Sequence, residues 1–209
     1  MGWYERVIFN RLLDLTLDHR TMAVERRKTL ARVSGRVLEI GIGTGLNLAH
    51  YPKSIKGITN ISPEEELPEI VDRRAGMNNI TIHHQQGDAA RMPFADGEFD
   101  SVVSTLTMCT IKDMDGALRE SYRVLNKNGK FYFFEHIVGQ SRFTRAVQCA
   151  VDPIQHVVAC GCSLCRDTAP AIERAGFVFE EFQDYYSKAI IWPGNRIIRG
   201  VAVKGSPDP

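Results

Sequence analysis

No stretch of the chain approaches the roughly 18 consecutive apolar residues that a membrane-crossing helix needs, so a spanning segment is not expected. The opening residues, Met1-Gly2-Trp3-Tyr4-Glu5-Arg6, hold no hydrophobic signal core. Arg6 stands where a myristoylation motif requires Ser or Thr. An excess of one charge is missing too. The formal net charge is +1, and Lys and Arg do not gather in one long block. Nucleic-acid binding is therefore not indicated. The group Arg26-Arg27-Lys28 reads as the solvated face of a helix. Five cysteines, an odd number, suit reduced thiols better than a disulfide framework. There is no internal repeat. A cytoplasmic protein is expected, with peripheral membrane contact left open and no oligomeric state implied.

Three glycines at alternate positions stand out in Val37-Leu38-Glu39-Ile40-Gly41-Ile42-Gly43-Thr44-Gly45-Leu46-Asn47. An apolar run, an acid, a glycine-rich turn and a helix-like start describe a strand, a tight turn and a helix N-terminus. A dinucleotide fingerprint would place its third glycine at Leu46; here it falls at Gly45. No Lys-Ser/Thr pair follows, which excludes a phosphate-cradling P-loop. A turn beside an acid, without phosphate apparatus, suits a positively charged nucleoside ligand.

Further along, strand and helix signals alternate. Strands are expected over Arg36–Ile40, Ile55–Thr59, Ile80–His84, Phe99–Ser104 and Lys130–Ile137. Helices are expected over residues 3–15 (Trp3, Val7, Ile8, Leu12 and Leu15 at helical spacing), 21–32, from Leu46 to Tyr51, and Asp113–Leu125. Another should open at Ser62-Pro63-Glu64-Glu65, with Ser62 as its cap. Residues 141–160 read as helical with a break near Pro153, and Asp167–Ala175 as a short helix. Phe177–Asp184 and Asn195–Lys204 read as two closing strands around Trp192-Pro193-Gly194. This order implies an α/β, doubly wound, mostly parallel sheet.

The glycine segment resembles the first motif of the class I S-adenosylmethionine-dependent methyltransferases. Gln86-Gly87-Asp88-Ala89-Ala90-Arg91-Met92-Pro93-Phe94, Asp96-Gly97-Glu98-Phe99-Asp100, and the set Arg119, Glu120, Arg123, Val124, Leu125 and Gly129 are similar to later motifs of that family, in order and at matching distances. The resemblance implies a Rossmann-like, seven-stranded sheet closed by an antiparallel C-terminal hairpin. Residues 35–209 would form the catalytic domain, and residues 1–34 a helical lid. It implies S-adenosylmethionine as cofactor, held by Glu39, Gly41, Gly43, Gly45, Asn47, Asn60, Ile61, Asp88, Ala89, Thr105 and Leu106. Glu39 or the turn would receive the ammonium group and Asp88 the adenine amino group. Asn60 replaces the family's ribose-gripping acid and keeps hydrogen bonds without the charge.

Phe134-Glu135-His136, Gln148, Pro153, Gly161-Cys162-Ser163-Leu164-Cys165-Arg166-Asp167-Thr168 and Ala175-Gly176-Phe177 resemble a thiol methyltransferase-like group of small-molecule enzymes. The acceptor would be a small thiol or another soft nucleophile. His136, titratable near neutrality at a strand end, is the candidate base. Cys109, Gln148 and Arg166 are candidate acceptor-side residues. Alternatives are an amine, phenolic oxygen or arsenite as acceptor, or a non-catalytic cofactor-binding protein. His156, Cys160, Cys162 and Cys165 are soft-ligand types, but at compressed spacing; no metal is assigned to them.

Overall fold

The computed structural model describes residue 14 and residues 17–65, 67–188 and 190–205. The helix expected over residues 3–15 lies outside the described residues apart from Asp14, as does the tail 206–209. Helix α1 spans Arg20–Leu30, followed by β1 (Val37–Ile40), β2 (Gly57–Ser62), α2 (Glu69–Asn78) and β3 (Thr81–Gln86). Then come β4 (Phe99–Thr105), α3 (Met114–Val124), β5 (Leu125–His136), α4 (Arg142–Val158), α5 (Thr168–Arg174), β6 (Phe177–Tyr186) and β7 (Arg196–Lys204).

The seven strands form one sheet in the order β3-β2-β1-β4-β5-β7-β6. Pairings from β3 to β5 are parallel, whereas β7 runs antiparallel to both β5 and β6. The chain therefore has the doubly wound sheet and closing hairpin expected of it.

Strand alternation distributes the core to the two faces. Leu38, Ile40, Phe131 and Phe133 face α3 and α5 and join Leu118, Val124 and Ile172. Val37, Ile58, Val103 and Tyr132 pack with Leu30, Val71 and Ala75 on the α1–α2 face. Each fully buried phenylalanine contributes about 1.5–3 kcal/mol of hydrophobic stabilisation, and β5 carries three of them, Phe131, Phe133 and Phe134. α3 starts at Asp113, whose carboxylate accepts from Gly116 N and satisfies an otherwise orphaned amide.

Three elements differ from expectation. The glycine turn is followed only by one 3-10 turn, Leu48–His50, not a helix to Tyr51. Pro52 explains this, because the residue before a proline is pushed to extended geometry, and Tyr51 has ψ 146°. Ser62 ends β2 and caps nothing; α2 begins later, at Glu69, after Pro68. Nor does Pro153 break α4, which continues through it to Val158. None of the helices among the described residues is long and apolar enough to cross a membrane.

Candidate active site at the carboxyl ends of the strands

The end of β1, the glycine turn and the end of β4 enclose a cavity of about 90 Å³. Its walls are Gly41, Ile42, Gly43, Thr44, Leu46 and Asn47 from the turn, with Thr105, Leu106 and Thr107 facing them. Leu17 and Arg26 complete it from the segment before β1. Gly41, with φ +70°, lies so close to Thr107 that a Cβ would stand 2.7 Å from that residue's Cγ2. Gly43, with φ +56°, faces open space. Left-handed backbone at both positions is what glycine alone adopts without penalty.

Behind the cavity wall runs a buried polar chain. Glu39 alternates onto the α1 face and is 1% exposed. Its carboxylate accepts from Asn47 Nδ2 at 2.6 Å and from Tyr51 Oη at 2.8 Å. Asn47 Nδ2 also donates to Thr105 Oγ1 at 2.8 Å, while its Oδ1 accepts from Arg26 Nη1 at 2.7 Å. Burial pushes the Glu39 carboxyl above its ordinary pKa, against the opposing pull of Asn47, Tyr51 and Arg26. Burial likewise lowers the Arg26 pKa, opposed chiefly by Glu39. Glu39 therefore acts on the cavity through Asn47 and is not itself part of its wall.

Arg26, expected on a solvated face, is only 5% exposed, and its Nε has no hydrogen-bond partner among the described residues. A guanidinium that lines the cavity suits a carboxylate. Asn60 also departs from its expected place. It lies within β2, fully buried, not beyond the strand end. Its Oδ1 accepts from Ile42 N at 2.9 Å, so it fixes the glycine turn and no longer stands as a free ribose ligand. Ile61 is buried in the same core cluster as Ala89. Asp88 is exposed; its Oδ1 accepts from Ala90 N at 2.9 Å.

On the acceptor side, Glu135 is fully buried and organises the loop after β4. It accepts from Ser104 Oγ at 2.6 Å and from the Thr107 and Met108 amides, each at 3.2 Å. Leu106, at φ +55°, turns the chain there. Three residues from separate elements then meet: Cys109 after β4, His136 at the end of β5, and Cys162 between α4 and α5. His136 Nε2 lies 3.0 Å from Cys162 Sγ, which lies 3.5 Å from Cys109 Sγ. Neighbouring Cys109 and burial push the Cys162 thiol well above its ordinary pKa. Sequence spacing groups Cys162 with His156, Cys160 and Cys165; folding selects Cys109 and His136 as its partners.

Two expected substrate residues serve the backbone instead. Gln148 is fully buried, accepting from Gly139 N at 2.7 Å and donating to Pro193 O at 2.9 Å. Arg166 donates to the carbonyls of Met108 and Ile111, bracing the Cys109 loop. A wider groove, lined by Arg32, Asp100, Lys127 and Lys130 among others, lies elsewhere, at the amino ends of β1 and β4. Ligands of open α/β sheets bind beyond the carboxyl ends, which favours the glycine-turn cavity.

Residues 38–133 match a methyltransferase domain family. A putative methyltransferase of Bacillus subtilis, YrhH, is 37% identical over 60% of this chain and 69% of its own length. The chain belongs to the class I S-adenosylmethionine-dependent methyltransferases. Human thiol S-methyltransferase TMT1A is 35% identical over 68% of the chain. The chain spans 59% of the length of that relative. A putative methyltransferase of Bacillus halodurans superposes with a TM-score of 0.71 at 16% identity, covering 87% of this chain and 98% of its own. The methyltransferase fold and its cofactor, S-adenosylmethionine, thus agree with the glycine turn and the strand-end cavity. The cavity volume is below the roughly 300 Å³ typical of small-molecule sites; Leu17 and Arg26 are the walls contributed from outside the sheet.

Proposed function

We propose that the chain transfers a methyl group from S-adenosylmethionine to the sulfur of a small thiol. The observation that carries this reading is the adjacency of the cofactor wall, Thr105-Leu106-Thr107, to the Cys109–His136–Cys162 cluster, with Cys109 Sγ 3.7 Å from Leu106 O. The likeness to human thiol S-methyltransferases TMT1A and TMT1B supports the same acceptor class.

The donor supplies a methyl carbon already activated by a sulfonium. What the protein adds is alignment of donor and acceptor and exclusion of water. Arg26 and the turn amides, fixed by Asn60 and Asn47, hold the amino-acid end. Asp88 and Ala89, beyond β3, serve the adenine end. Leu17 and α1 act as a lid that moves outward to admit the nucleoside and closes over it. The acceptor thiol becomes a thiolate at the cysteine–histidine cluster, and His136 is the residue on which that step depends.

Calorimetry with S-adenosylmethionine tests the cofactor site. Mass spectrometry of reactions with thiols, amines, phenols and arsenite tests the acceptor. Methylated thiol as the main product supports the proposal. Turnover of amines or phenols with no thiol product refutes it.

A further inference from the structure

We propose that Cys109, His136 and Cys162 form a binding site for one soft divalent cation, zinc by ligand type, which receives the acceptor thiol at its open fourth position. The inference deepens the methyltransferase reading and rests on it.

The geometry is that of a prearranged ligand set. The two sulfurs and a ring nitrogen all lie within 4.8 Å of one another. Two thiolates and one imidazole match the donor set of catalytic zinc sites, in which three protein ligands leave a fourth position for water or substrate. The backbone that carries the two cysteines is fixed. Glu135 and Arg166 fix the backbone on either side of Cys109. Ser163 N donates to Cys109 O at 3.0 Å, tying the Cys162 loop to the Cys109 loop. His136 ends a central strand and is 8% exposed.

His136 is also poorly explained by a structural role. Among the described residues its buried Nδ1 has no hydrogen-bond partner, and its Nε2 meets a cysteine sulfur. A histidine kept for packing commonly bonds the backbone; this one commits neither nitrogen to it. A cation would turn three crowded groups into a coordinated set.

The chemistry balances. Cation binding displaces the thiol protons of Cys109 and Cys162 to solvent. An acceptor R–SH then binds at the fourth position and loses its proton to solvent, since a coordinating thiol is deprotonated by the ion's charge. The acceptor sulfur forms its bond to the methyl carbon as the donor's carbon–sulfonium bond breaks, with that electron pair remaining on the donor sulfur. The methylated thioether, a weaker ligand, leaves.

The test uses the full chain, stripped with a chelator and then titrated with zinc alone and with cobalt(II) as a spectroscopic stand-in. One equivalent per chain should bind, with a thiolate-to-cobalt charge-transfer band. Cys109→Ser and Cys162→Ser should each lose the band and the stoichiometric site. The double variant Cys149→Ser/Cys165→Ser, which removes the other close cysteine pair, should keep both. Thiol turnover should fall at least tenfold on stripping and return with zinc. Absence of a stoichiometric wild-type site, or a site insensitive to both Cys109→Ser and Cys162→Ser, overturns the inference. Full thiol turnover by stripped enzyme also overturns it, while leaving the methyltransferase reading intact with His136 as the direct base. Failure to bind S-adenosylmethionine, by contrast, strikes the methyltransferase reading itself.

Discussion

Arg26 on α1 and Asn47 in the glycine turn are joined by a 2.7 Å hydrogen bond, through which a helix outside the sheet reaches the wall of the strand-end cavity. Because Asn47 also bonds Glu39, one amide connects a buried cation to a buried carboxylate. Arg26→Met keeps the bulk and removes the charge. A hydrogen bond to a charged group is worth about 1.5–3 kcal/mol, so affinity for S-adenosylmethionine should weaken by about tenfold to a hundredfold. Calorimetry on the folded variant measures this, and unchanged affinity would remove Arg26 from the cofactor site.

Gly43→Ala separates folding from binding. Its added methyl meets no atom within 4 Å, so the cost to stability is the left-handed backbone alone, about 1–2 kcal/mol. The methyl stands at the cavity wall, which the proposed function gives to the donor. The variant should fold, with a modestly lower urea midpoint, and bind S-adenosylmethionine at least tenfold more weakly.

Asn60→Ala leaves Ile42 N without its acceptor inside the protein. An unsatisfied buried donor costs about 1–3 kcal/mol, and urea denaturation should show a loss of that size. Asn60→Asp retains the acceptor oxygen but buries a charge beside His84, whose Nδ1 lies 3.0 Å from the present amide nitrogen. That buried charge should also cost stability, read in the same urea denaturation.

Glu39 gives a stability slope with a defined sign. Its folded pKa is raised by burial, so the folded state binds this proton more tightly than the unfolded chain does. Its contribution is fully present below the ordinary carboxylate pKa and is lost as pH rises through the raised folded value. Glu39→Gln removes that loss. Relative to wild type, the variant's urea midpoint should improve as pH rises from about 4 towards neutrality. A constant difference across that range would contradict the assignment.

The sheet was legible because its signals are local. Val37–Ile40, Phe99–Thr105 and the apolar run ending β5 announce themselves by composition, and the glycine turn by spacing. The departures have specific causes. Pro52 cuts short a helix whose pattern runs to Tyr51, whereas Pro153 does not interrupt α4. Arg26 sits in a run of charges that reads as solvated, and its burial depends on Asn47 and Thr105, far away in sequence. Gln148 and Arg166 have side chains that suit substrates; their backbone acceptors, Pro193, Met108 and Ile111, come from distant loops. The Cys109–His136–Cys162 meeting likewise joins three elements that only the strand order brings together.

The placement of β7 between β5 and β6 bears on biosynthesis. Until residues 196–204 have emerged from the ribosome, a nascent chain carries β5 with one flank unpaired, next to its most apolar segment. Such open edges invite intermolecular pairing. Translation products halted before Arg196 should therefore depend on chaperones for solubility, while those reaching Lys204 should not.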